Sequence, residues 1–167
     1  IGDSVIRHLY HAACRQMGDT TAGAYNTSAG KWTDFSRQYG KAALEFRWAP
    51  YTSNQTDVIH RLLEDKQKPD LVIVGGGAWD RLNKYRTEKE LEILRYDVQS
   101  LVKGMEQVRK EGVPLVWSIP TSMNTWALPS EEKRENIKEV DIAAVRALFQ
   151  YEGIHKVSSF VLDGPAY

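Results

Sequence analysis

Three glycine-bearing stretches hold residue types that can do chemistry: Gly2-Asp3-Ser4 at the start, Gly75-Gly76-Gly77-Ala78-Trp79-Asp80 near the middle, and Asp163-Gly164 near the end. Ser4 is the candidate nucleophile. A hydroxyl in the first turn of a helix lies close to free backbone N–H groups and to the positive end of the helix dipole. That setting stabilises an oxyanion but does not remove the hydroxyl proton, so a base is needed. The plainer reading is that Asp3 or Ser4 caps the helix, because Asp and Ser are common caps. From the tripeptide alone both readings stand.

The glycine run follows an apolar stretch, Leu71–Val74. Glycine lets a backbone come close to a ligand, and the amides of Gly76 and Gly77 are candidate oxyanion donors. The alternative is a tight turn that needs positive φ. A phosphate loop is a poor reading, since neither G-x-x-x-x-G-K-S/T nor G-x-G-x-x-G is present. Trp79 is a candidate wall of an acyl pocket, and Asp80 a structural residue. Arg7, one turn after Ser4, is suited to a carboxylate or phosphate, or equally to a surface ion pair. Of the four histidines, His8 and His11 share a helical face, yet two such residues without a third ligand point to structure rather than to a metal. His60 falls within a helix, and His155 lies at the wrong end of its strand for Ser4. None is a convincing base, and no metal site is predicted.

These residues need elements to position them. Apolar spacing predicts a helix from Ser4 to about Arg15, with Val5, Leu9, Ala12 and Ala13 buried. Gly18 to Gly40 reads as a long ordered loop anchored by Trp32 and Phe35. Strand alternation runs from Ala42 to Trp48 through Leu44 and Phe46. A helix over 54–65 presents Val58, Ile59, Leu62 and Leu63. Leu71–Val74 is a strand buried on both faces. Thr87 and Glu90 form a capping box for a helix over 87–111, which carries Leu91, Leu94, Val98, Leu101, Met105 and Val108. Strands follow at 113–119 and 156–162. Between them lies a helix capped by Ser130, running to about Tyr151 through Ile137, Val140, Ala144 and Leu148.

Strict alternation of helices and buried strands implies an α/β fold, a three-layer doubly wound parallel sheet. In such sheets ligands bind at the carboxyl ends of the strands, where all three glycine-bearing stretches fall. The first helix lacks a preceding strand and the last strand lacks a following helix. The expectation is therefore a single domain over 1–167 that is cut at both ends.

The 22 Lys and Arg residues balance 22 Asp and Glu. That zero net charge argues against nucleic acid as a partner. The single cysteine, Cys14, excludes an intrachain disulfide and a multi-cysteine zinc site. No segment is long and apolar enough to span a bilayer.

IGDSVIR at a strand–helix turn resembles the first block of the GDSL/SGNH hydrolases, and KPDLVIVGGGAW the block after their central strand. More narrowly, Gly2-Asp3-Ser4-x-x-Arg7, LEFRWAPY, KPDLVIVGGGAW and VWSIP, in that order, resemble the lumenal catalytic domain of eukaryotic polysaccharide and sialate O-acetyltransferases. These belong to the PC-esterase group and include the fungal capsule O-acetylation proteins. The resemblance covers nearly the whole chain. It implies a flavodoxin-like sheet and a Ser–His–Asp triad in which Ser4 is the nucleophile. The family's Asp and His lie together in a D-x-x-H motif. Here Asp163-Gly164 is followed by Pro165, Ala166 and Tyr167, so the histidine position holds Ala166. The expectation is that the motif lies beyond Tyr167 and that residues 1–167 alone are inactive. GGGAWD also lacks the oxyanion Asn found in many relatives. Gly30 is a weak substitute for the missing glycine of the second block.

The implied reaction is O-acetylation of glycan hydroxyls through an acetyl-serine. No bound cofactor is implied, and acetyl-CoA or another acetyl donor is the co-substrate. The implied setting is a Golgi or secretory-pathway lumen, as part of a membrane-attached protein. Acetyl esterase action, with water as acceptor, is the close alternative. The other alternative is a non-catalytic glycan-binding domain, for which Trp32, Trp48, Trp79, Trp117 and Trp126 offer rings.

Overall fold

The computed structural model describes residues 1–23, 32–85, 87–119, 139–151, 153–154 and 160–162. Helix α1 spans Ser4–Gln16. Its N-cap is Asp3, whose carboxylate accepts from the Val5 amide at 2.9 Å. The buried face of α1 is Ile6, Tyr10 and Cys14, joined by Arg7 and His11. This corrects the expected face: Val5 is 41% and Leu9 38% exposed, and Ala12 and Ala13 are half-buried. The reason is tertiary. The sheet comes under Ile6, so closely that a β-carbon on Gly75 would stand 2.6 Å from Ile6 Cδ1. One turn on, Tyr10 meets Phe46 and Phe35, each with ring centroids 6.0 Å away.

Strands β1 (Phe35–Tyr39) and β2 (Ala42–Phe46) form an antiparallel hairpin, with Phe35 opposite Phe46 and Tyr39 opposite Ala42. Residues 35–39 are thus a strand where a loop was expected. The two-residue connection is Gly40-Lys41, with φ of 58° at Gly40 and no positive φ at any described non-glycine residue. A positive φ at the first loop position only is the II′ geometry, whose twist suits paired strands. The hairpin and α1 enclose a small core of Ile6, Tyr10, Cys14 and Phe46. The expected strand 42–48 is also divided: β2 pairs antiparallel, and the chain then continues to Trp48, which bridges Gly2 in parallel.

Helix α2 spans Thr52–Glu64 and leads to β3 (Val72–Gly75). Short α3 (Ala78–Asn83) follows the glycine run, and long α4 covers Glu88–Lys110. The Thr87–Glu90 capping box is present, with Thr87 N donating to Glu90 Oε2 at 2.8 Å and Glu90 N to Thr87 Oγ1 at 3.3 Å. Leu94, Val98, Leu101, Met105 and Val108 are all buried, as their spacing predicts. Gly104 lets α2 close on α4, because a β-carbon there would meet Ile59 Cγ2 at 2.8 Å.

Strand β4 is Leu115–Ser118, helix α5 is Glu139–Tyr151 and strand β5 is Phe160–Leu162. Among the α5 residues whose burial is described, 144–150, Val145 and Phe149 are buried, Ala144 is exposed and Leu148 half-buried, and the side chain of Val140 lies outside the described set. The inward face is one residue from the expected one, because Phe149 stacks on Trp117 at 4.9 Å and 18°. Ser130, Ile137, His155 and residues 156–159 lie outside the described residues, as do Gly30, Trp126 and 163–167.

The fold is mixed α/β. Strands β3, β4 and β5 form a parallel ladder in that order, apart from the antiparallel hairpin. On the other side of β3 lies Ile1-Gly2. Gly75 N donates to Ile1 O at 3.1 Å, and Gly2 N to Arg47 O at 3.1 Å. Ala49 N donates to Gly2 O at 2.9 Å. Gly2 therefore has parallel bridges on both sides, to Trp48 and to Gly75. No alanine fits at Gly2: its β-carbon would overlap the Gly75 carbonyl oxygen.

Candidate functional site

The two bridges of Gly2 decide where Ser4 stands. Parallel neighbours run the same way, so the chain leaves Gly2, Trp48 and Gly75 at one edge of the sheet. Gly2 leads to Asp3 and Ser4, Trp48 leads to Tyr51 and α2, and Gly75 leads to Gly76, Gly77 and Trp79. Parallel strands place their carboxyl ends together, and this edge is such a place.

Asp3 is buried, and it holds the capping position. Burial pushes its carboxyl up to about 6 against the opposing hydrogen bonds from the backbone N–H groups of Val5 and Ile6. Ser4 is the first helical residue and is half-buried. Its hydroxyl has no hydrogen-bond partner among the described residues. The capping duty that competed with a chemical role thus belongs to Asp3.

The glycine run makes a sharp exit from β3. Gly76 has φ of 154° and Gly77, the N-cap of α3, has φ of 106°. A β-carbon on Gly76 would overlap Gln55 Nε2, and one on Gly77 would stand 2.8 Å from the Phe149 ring. Both glycines are thus required by packing as well as by turn geometry. The Gly77 amide has no hydrogen-bond partner among the described residues, which leaves one donor at this exit, while the Gly75–Ser118 pairing sets the Gly76 N–H toward β4.

Two residues tie this edge together from behind, and one of them, Gln55, carries no signal that sequence reasoning used. Gln55 is fully buried and donates from Nε2 to Ala49 O and Gly75 O, each at 3.1 Å. It ties the chain after Trp48 to the chain before Gly76. Its signal is its place one turn before Ile59, in the apolar row of α2. Asp80 is also fully buried. Its carboxylate accepts the Thr52 amide at 3.0 and 3.2 Å and the Thr52 hydroxyl at 2.7 Å. Asp80 thereby closes the N-terminus of α2, where Tyr51 supplies no side-chain cap. The structural role expected of Asp80 is what it has.

Arg7 is 6% exposed, with its guanidinium carbon 5.5 Å from the centroid of the Trp48 ring. It is part of the wall of this edge and not an open surface cation. Trp79 meets Trp48, Trp32 and Tyr51 edge-on. Trp117 is 1% exposed and belongs to the core.

The histidines do not meet Ser4. His11 lies seven residues along α1, about 10 Å by helical rise, buried between Tyr10 and Phe35. Burial lowers its pKa to about 4, so it is neutral near pH 7. His8, one turn from Ser4, is exposed, and burial of part of its ring lowers its pKa. His60 is exposed on α2. Among the described residues no group of three or more His, Cys, Asp or Glu is arranged for a metal. A cavity of about 60 Å³ lies between α1 and β1, lined by Tyr10, His11, Cys14 and Phe35, away from the Ser4 edge.

The chain is 31% identical over 107 residues to Protein ALTERED XYLOGLUCAN 9 of Arabidopsis thaliana. The match takes in 58% of this chain and 29% of that protein. The chain therefore spans less than a third of the relative's length. That relative is a plant protein, and nothing in the comparison singles out the fungal capsule proteins. No protein-family profile matches the chain, and no solved structure matches it.

Proposed function

We propose that this chain carries the nucleophile of a serine-dependent O-acetyltransferase acting on glycan hydroxyls. The observation that carries the reading is the position of Ser4. It opens α1, is relieved of capping by Asp3, and shares a sheet edge with the amides of Gly76 and Gly77. The similarity to a protein whose name refers to xyloglucan supports a polysaccharide acceptor. The parallel order of residues 47–49, 1–2, β3, β4 and β5 supports the finer fold, a three-layer doubly wound sheet of flavodoxin type.

In the first step the Ser4 oxygen attacks the acetyl carbonyl carbon of the donor, acetyl-CoA or another activated acetyl group. The new bond joins Ser4 Oγ to carbon, a general base takes the hydroxyl proton, and the base passes that proton to the donor's group as it departs. Backbone amides near Ser4 and at Gly77 hold the oxyanion, which is where fixed donors contribute most. In the second step a sugar hydroxyl attacks acetyl-Ser4, the base takes the sugar's proton and delivers it to Ser4 Oγ, and the ester passes to the sugar. The base is the Asp–His pair that the family resemblance implies. The same resemblance supports a secretory-pathway lumen. No described helix is long and apolar enough to cross a membrane.

The test uses the full-length protein with an acetyl donor and a xyloglucan oligosaccharide, followed by mass spectrometry of sugar and protein. Expected are acetylated sugar and, without acceptor, an acetyl group on the Ser4 peptide, both lost in Ser4→Ala. Release of free acetate in place of sugar acetylation makes the protein an esterase. Undiminished transfer by Ser4→Ala sinks the reading.

A further inference from the structure

Three indoles meet at the Ser4 edge. Ring centroids of Trp32 and Trp48 are 4.8 Å apart, of Trp32 and Trp79 5.2 Å, and of Trp48 and Trp79 5.8 Å. They come from three segments: ahead of β1, just after β2, and in α3. This is not a core. Trp48 and Trp79 are half-buried, and Trp32 is 49% exposed. Burial alone does not gather tryptophans at a surface, and a concentrated exposed aromatic patch marks a ligand site. The interplanar angles of 58°, 79° and 89° set the rings across one another. Each ring packs against its two neighbours.

The patch is fixed relative to Ser4. Trp48 is the bridge partner of Gly2, two residues before Ser4, and Arg7, one turn after Ser4, lies against the Trp48 ring. Ser4 and Arg7 share a face of α1, because residues three apart are neighbours on a helix. Trp48 therefore borders the first turn on the side of the serine.

The chemistry of the patch selects its occupant. A pyranose has apolar C–H faces and a rim of hydroxyls. Indole faces match the first, and indole N–H groups match the second. Those of Trp48 and Trp79 have no hydrogen-bond partner among the described residues. The surrounding cations are already engaged: Arg7 is 6% exposed, with its guanidinium packed on the Trp48 ring. Lys84 lies 3.6 Å from Asp97 and bonds Ser53, and Arg47 pairs with Asp34 and Glu45. An acidic sugar finds no ready counter-charge there, and an uncharged one needs none.

We propose that Trp32, Trp48 and Trp79 form a platform that holds one uncharged pyranose of the acceptor with a rim hydroxyl toward Ser4. The assignment rests on the reading of Ser4 as the acyl-transferring serine. The tryptophans are positioning residues and take no covalent part.

The experiment is a titration of the full-length Ser4→Ala protein, followed by calorimetry and tryptophan fluorescence. The probes are cellotetraose, a xyloglucan oligosaccharide and an acidic oligogalacturonide. The neutral sugars are expected to bind, and Trp32→Leu and Trp79→Leu to weaken them on the order of tenfold each. Tyr96→Ala, at an exposed aromatic elsewhere on α4, leaves binding unchanged. On a Ser4 background, Trp32→Leu raises the acceptor KM, keeps kcat and leaves acetyl-Ser4 formation intact. Preference for the oligogalacturonide, or equal binding by the tryptophan variants, overturns the platform while Ser4 chemistry stands. Tryptophan-dependent sugar binding without any acetylation of Ser4 overturns the catalytic reading instead. The protein is then a glycan-binding module.

Discussion

Thr52 donates both its amide and its hydroxyl to the buried carboxylate of Asp80, which lies 28 residues further along the chain. Burial outweighs these hydrogen bonds and pushes Asp80 from an ordinary 3.8 up to about 6. The folded state then binds this proton more tightly than the unfolded state. The stability it contributes is complete below about 3.8 and is lost as pH rises through about 6. Asp80→Asn keeps an oxygen acceptor for Thr52 and removes the titration. Relative to this variant, the natural protein should gain up to about 1.4 kcal/mol per pH unit on acidification across that window. Urea denaturation at a series of pH values measures it. A difference that does not change with pH means that folding leaves the Asp80 pKa at its unfolded value.

Replacing Asp3 and replacing Ser4 should have opposite signatures. Asp3→Ala leaves the Val5 amide without its cap and should cost about 0.5–2 kcal/mol, whereas Asp3→Asn retains an acceptor and most of the stability. Ser4→Ala removes a hydroxyl with no partner among the described residues and should stay within about 0.5 kcal/mol of the natural protein. Thermal melts separate the two. If Ser4→Ala melts as early as Asp3→Ala, the serine is there for structure.

Gly77→Ala tests the proposed oxyanion amide. The residue has φ of 106°, and the added methyl would meet the Phe149 ring at 2.8 Å. Strain and overpacking together should cost about 1–3 kcal/mol and displace the amide. Gly112→Ala is the control: it also has positive φ, at 86°, but nothing lies within 4 Å of its β-carbon. Both variants should lose stability, and only Gly77→Ala should lose acetyl transfer. Full activity in Gly77→Ala removes that amide from the mechanism.

Cys14 is fully buried between α1 and the hairpin. A thiol reagent should therefore leave the native protein unlabelled and modify it at once in denaturant. Slow native labelling would report opening of α1 away from β2. Fast labelling at native conditions would show that the small core is not closed.

Which features the sequence revealed depended on how local their causes were. The capping box at Thr87 and Glu90 and the apolar row from Leu94 to Val108 are local, and both stand as spacing predicts. The inward faces of α1 and α5 were each misjudged by one residue. A helix with apolar residues on adjacent rows is turned by its partner, here Gly75 under Ile6 and Trp117 under Phe149. Strand β1 was hidden because Ser36, Arg37 and Gln38 are exposed and polar, so only Phe35 and Tyr39 mark it. At the candidate site, Ser4 and the glycines could be named from their types. That Asp3 is the cap, and that Gln55 and Asp80 tie the edge together, are facts of tertiary hydrogen bonding.

The short strip Ile1-Gly2 also says when the Ser4 edge comes into being. The Ile1 nitrogen donates to Ile73 O, 72 residues away, and Gly2 touches nothing nearer than Arg47 in its sheet contacts. Closing so long a loop costs entropy that only later contacts offset. On the ribosome α1 emerges with its cap in place but with no floor beneath Ile6. That floor arrives with β3, and until Gly75 has been synthesised and docked Ser4 has no neighbouring amides to work with. Whatever reactivity the serine has is acquired by the folded chain and withheld from the nascent one.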